Sequence, residues 1–173
     1  MLDQLFVNPP ALALLAYLRT PETWTAVLLP GTVSLAIFGA YLHAGRISAQ
    51  LQRIWWCALP ISYGCAYWVI TPEAESLYIF SAFSVACAFL LFRRRSVPPA
   101  LAFALTFLSL FSVDMSHALA RAITVGLPLD RFYLGVGGAG LRDSLLVMPS
   151  LTAMTVAYAR LRIRRRGEEL VDF

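Results

Sequence analysis

The chain contains no lysine: all 14 of its basic residues are arginine. Charge of either sign is scarce, at 14% of residues, where soluble domains carry about a quarter. Hydrophobic residues make up 59%. A chain this apolar, with several runs long enough to cross a bilayer, reads as a polytopic membrane protein rather than an ordinary soluble domain. The arginines sit at the ends of the apolar runs instead of forming one basic face. This excludes nucleic acid as a partner and makes membrane lipid the expected surroundings.

Cysteine and histidine are equally sparse. Cys57, Cys65 and Cys87 all fall inside apolar runs, lack C-x-x-C spacing and are odd in number, so small buried core residues are expected. His43 and His117 lie near opposite ends of the expected bundle, which argues against a bis-histidine haem. Neither H-E-x-x-H nor G-x-S-x-G occurs. No metal or cofactor is expected.

What is present is a series of apolar segments. Asn8-Pro9-Pro10 opens a short helix over about 9–18, too short to span and so expected to lie in the interface. No basic segment precedes it, so no cleavable signal peptide is expected. Spans are expected at about 24–44, 57–70, 77–92, 100–120 and 141–160, followed by a basic tail over 161–173. The fold class is therefore all-α: one membrane domain, a bundle of about five transmembrane helices with a short interfacial helix before them. In the first span, Ala36, Ala40 and Ala44 recur every fourth residue, an arrangement that lets a neighbouring helix approach closely.

Arginine asymmetry sets an expected orientation. Arg46, Arg53, Arg93–Arg95, Arg160, Arg162 and Arg164–Arg166 fall on one side of the bundle; Arg19, Arg121, Arg131 and Arg142 fall on the other. The arginine-rich side faces the cytoplasm by the positive-inside rule, leaving the N-terminus outside and the C-terminus inside an inner membrane.

The stretch from Ser112 to Ser150 carries the polar chemistry. Asp114, His117 and Arg121 share one presumed helix face, and the turn Gly135-Val136-Gly137-Gly138-Ala139-Gly140 leads to Arg142, Asp143 and Ser144. Ionisable residues at membrane depth mark functional sites by default. Asp114, His117 and Asp143 are the expected chemical groups: Asp114 orients His117, and Asp114 with Asp143 forms an acid–base pair. Arg121 and Arg142 are the expected anion holders, with the Gly137, Gly138 and Gly140 amides and Ser144 completing a ligand seat at a helix start. The competing reading is structural, because three aspartates and three arginines in this stretch balance as ion pairs.

The chain's size and the aspartates at the outer ends of adjacent helices resemble in outline the intramembrane aspartyl peptidases, such as the lipoprotein signal peptidase. That family's asparagine-containing motifs are absent from this chain, and no membership follows. The function expected is binding, or helping to transport, a small or anionic ligand from the extracytoplasmic side. The alternatives are a membrane-embedded hydrolase or transferase acting on a lipid-linked substrate, and a non-catalytic subunit of a larger membrane complex. Five spans without an internal repeat make a homo-oligomer or a partner membrane subunit the expected assembly.

Overall fold

The computed structural model describes residues 10–70, 75–93, 95–133, 136–137, 143–166 and 171–172. The chain there is mostly helical. Helix α1 is Pro10–Leu18, α2 Pro21–His43, α3 Ala49–Gly64, α4 Ala82–Phe92, α5 Pro99–Val125 and α6 Ser144–Arg165. Strands β1 (Tyr67–Ile70) and β2 (Glu75–Tyr78) form an antiparallel hairpin. The short strands β3 (Arg95–Ser96) and β4 (Val171–Asp172) pair in parallel.

Three helices, α2, α5 and α6, are long and apolar enough to cross a membrane. Helix α5 is the hub. Half of its apolar stretch is buried, against 17% for α2 and 22% for α6, so the other helices pack around it and expose their own apolar sides. Trp24, Leu29 and Leu35 of α2 and Leu151, Met154 and Tyr158 of α6 are each more than half exposed. Such surfaces belong against lipid or another apolar partner.

The polar ends of α5 reveal the order of the bundle. Its first residues, Pro98 and Pro99, meet the end of α2 at Tyr41, the N-cap of α3 at Ser48 and the end of α6 at Arg160 around one cavity. Toward its other end, His117 meets Tyr63 at the end of α3, and Asp114 faces Asp143 at the start of α6. The Ala82 amide, at the start of α4, donates to Ser62 Oγ near the end of α3. From α2 to α6 the helices thus alternate in direction.

The chain is mostly helical, as the all-α class expects, but the helices in the second and third expected spans have other bounds and a short hairpin lies between them. Where 57–70 was expected as a helix, α3 occupies Ala49–Gly64 and residues 67–70 are strand. Ser48 starts α3 early by accepting the Leu51 amide at 3.1 Å, so the polar stretch before Trp55 is helix and not turn. Tyr67-Trp68-Val69-Ile70 is aromatic and β-branched, which suits a strand, and Tyr67 stacks on Tyr78 across the hairpin at 5.5 Å. Where 77–92 was expected, the helix covers only Ala82–Phe92. At 1.5 Å per residue, α3 and α4 measure about 24 and about 16 Å, short of the roughly 30 Å hydrocarbon core.

Two smaller expectations also change. Ala36, Ala40 and Ala44 are exposed, while the face of α2 turned inward carries Pro30 and Ser34. Gly31 lies against the Phe107 ring, where an added Cβ would sit at 3.5 Å. Cys57 and Cys65 are exposed; only Cys87 is buried.

Helix α2 begins with a π-helical stretch over Trp24–Leu28, in which the Leu29 amide bonds back five residues to the Trp24 carbonyl. Pro30 accounts for it: with no N–H to give to Ala26, the turn before it widens. Between helices, hydroxyls act as polar contacts. Ser84 Oγ lies 2.7 Å from Thr152 Oγ1, and Trp55 Nε1 donates to Ser109 Oγ at 2.6 Å.

Candidate functional site

The polar stretch of α5 meets two neighbours, α3 and the start of α6. Asp114 and His117 are three residues apart, about 60° around the helix, so they turn toward different neighbours. Asp114 lies within electrostatic reach of Asp143 at the start of α6. His117 points to α3. Its Nε2 is 3.1 Å from the Tyr63 carbonyl and its ring stacks on the Tyr63 ring at 4.3 Å and 25°. A carbonyl only accepts, so Nε2 carries the proton in this contact. The expected orientation of His117 by Asp114 is absent: no hydrogen bond joins them, and none reaches the Asp114 carboxylate from any described residue.

Asp143 caps α6. Its side chain accepts the Leu145 amide at 2.9 Å, satisfying one of the unpaired donors of the first turn and placing negative charge at the helix N-terminus. This cap also fixes the position of the Asp143 carboxylate. Ser144 is the first residue of the helix and half-buried. Ser112 and Ser116, the other hydroxyls near the cluster, donate back to the carbonyls of Leu108 and Ser112.

Of the glycines, Gly137 is described; Gly138 and Gly140, with Arg142, lie outside the described residues. Gly137 is buried with φ of +72°. A Cβ there would overlap the Val27 side chain and meet Ala26 Cβ at 3.3 Å. The positive φ and the packing of the loop onto the π-helical stretch of α2 both require glycine at this position. Neighbouring Val136 is buried in a cluster with Phe107, Leu110 and Leu145. Arg121 is half-buried and engaged within the fold.

Sequence reasoning missed one member of the site. Tyr17 of α1 is 9% exposed, and its hydroxyl donates to the Val136 carbonyl at 2.5 Å. Its ring lies 5.4 Å from that of Tyr133. Burial pushes the Tyr17 hydroxyl up to about 12. The nearby Asp114 and Asp143 carboxylates and Tyr133 add to this rise, while a hydrogen bond with Thr23 opposes it. Thr23 is tied in turn to Thr20, whose hydroxyl donates to Thr23 Oγ1 at 2.8 Å and joins the end of α1 to the start of α2. The only sequence signal for this arrangement is the capping Thr20-Pro21 pair that turns α1 back toward the loop.

The result is a pair of carboxylates, from α5 and from the cap of α6, beside two tyrosines contributed by α1 and the loop. Comparison with protein families, curated proteins and solved structures finds no match for this chain.

Proposed function

We propose that the protein is an integral membrane protein whose α5–α6–loop end binds, or helps to move, a small ligand, and that the ligand presents a cationic group to Asp114 and Asp143. The observation that carries this reading is the approach of the two carboxylates beside Tyr17. Like charges held together are relieved by a cation or a proton taken between them. Tyrosine faces add attraction for an organic cation. The expected preference for an anion rested on Arg121 and Arg142, and Arg121 is engaged within the fold.

In this reading α2, α5 and α6 cross the membrane, and the shorter α3 and α4 run out and back beside them, so the alternating helix order is kept. An open sheet edge is not tolerated in hydrocarbon, so the β1–β2 hairpin belongs at the interface, with Tyr67 and Tyr78 in the aromatic belt. The cavity end, rich in arginine, is assigned to the cytoplasm of an inner membrane, and the carboxylate end to the outside.

The test is flux. Reconstituted into liposomes, the wild-type chain is expected to admit a small amine or protons down a gradient, and Asp114→Asn to reduce that flux at least tenfold. Equal flux in empty liposomes, wild type and variant would reject the reading.

A second reading rests on the same pair. Two facing carboxylates can serve as general acid and general base for a membrane-embedded hydrolase. Hydrolysis of a lipid-linked substrate without any flux would favour it.

A further inference from the structure

The opposite end of the bundle holds a second site, about 22 Å along α5 from Asp114 at 1.5 Å per residue. There a cavity of about 790 Å³ opens between the end of α2, the N-terminus of α3, the start of α5 and the end of α6. Three guanidinium groups line it from two elements: Arg46 from the α2–α3 turn, and Arg160 and Arg164, one turn apart on α6. None of the described lining residues is acidic. The N-termini of α3, at Ser48, and of α5, at Pro98–Pro99, also border the cavity and add positive potential.

We infer that this cavity holds the phosphate headgroup of an anionic membrane lipid. Guanidinium groups pair with phosphate oxygens two at a time, and arginines at helix ends lie at headgroup depth. The remaining wall is apolar, built by Tyr41, Pro99, Ala157 and Leu161. A free phosphate ion would leave most of that volume and wall unused, whereas the glycerol and upper acyl segments of a lipid would cover it. The side chains of Arg46 and Arg164 have no ion-pair or hydrogen-bond partner among the described residues, and both residues are exposed. The inference rests on the membrane reading of the chain but not on the carboxylate pair.

The full chain, purified in a non-ionic detergent, is titrated by native mass spectrometry with phosphatidylglycerol, with phosphatidylcholine and with soluble glycerol phosphate. One phosphatidylglycerol is expected to be retained at least tenfold more tightly than phosphatidylcholine. Arg46→Gln and Arg164→Gln should each weaken it about tenfold with unchanged melting curves, because both side chains are exposed. Arg162→Gln, outside the cavity, and Asp114→Asn, at the other site, should bind as the wild type does. Equal retention of the two lipids, or undiminished binding by Arg46→Gln, would overturn the site. Displacement of the lipid by an equal concentration of glycerol phosphate would overturn the lipid as its source.

Discussion

His117 and Tyr63 are joined twice, by ring stacking at 4.3 Å and by the imidazole Nε2 on the Tyr63 carbonyl at 3.1 Å. The carbonyl belongs to the last turn of α3 and also accepts the Ala66 amide at 3.3 Å, so its second lone pair is what the imidazole uses. His117 therefore ties α3 to α5 and closes the end of a helix.

His117→Ala should accordingly act on stability. Loss of the stack and of the hydrogen bond is expected to cost about 1–2 kcal/mol. A thermal melt of the purified protein in detergent checks this, and flux per folded molecule should remain. An unchanged melt with lost flux would instead place His117 in the chemistry.

Gly137→Ala is expected to be more damaging than its size suggests. Its positive φ disfavours any side chain by about 1–2 kcal/mol, and overlap with Val27 adds about 1–3 kcal/mol of overpacking. Val27→Ala should recover part of the loss by making room. A double-mutant cycle on melting temperature measures that recovery, and strict additivity would contradict the packing explanation.

Tyr17 predicts an alkaline limb of stability. Its hydroxyl ordinarily ionises near 10 and in the folded protein near 12. The folded state thus holds its proton longer than the unfolded chain. The corresponding stability is complete below pH 10 and is lost as pH rises from 10 through 12. Tyr17→Phe should show less of this decline, and should lower stability at neutral pH by about 1 kcal/mol through loss of the bond to the Val136 carbonyl. Melting curves across that pH range compare the two proteins.

Much of the scaffold was legible from residue types alone. The apolar runs behind α2, α5 and α6 are long enough to announce themselves, and Asp114 stands out as an ionisable residue within one of them. The β1–β2 hairpin was not legible, because the Tyr67–Ile70 run continues an apolar stretch that helix and strand occupy equally well. The inward face of α2 was misread for a related reason. Small residues recur at Ala36, Ala40 and Ala44, but the widened turn before Pro30 shifts the helix phase, and Ser34 faces in instead. Of the site, the facing of Asp114 and Asp143 follows from adjacent antiparallel helices. Tyr17 does not, since it reaches Val136 across 119 positions of chain that only the fold brings together. The partner of His117 is a backbone carbonyl, which no side-chain pattern encodes.

The Asp143 cap allows charge and structure to be separated at the centre of the account. Asparagine caps helices about as well as aspartate, whereas Asp143→Ala should cost about 1 kcal/mol. The decisive measurement is the melting temperature of wild type, Asp143→Asn and Asp143→Ala titrated with methylammonium at fixed ionic strength. If the carboxylate pair is a cation site, the wild type rises with methylammonium concentration. Asp143→Asn then starts near the wild-type value but no longer rises, and Asp143→Ala starts lower and does not rise. A wild type that does not respond, or an Asp143→Asn protein that rises as the wild type does, would contradict the claim that Asp114 and Asp143 together hold the ligand.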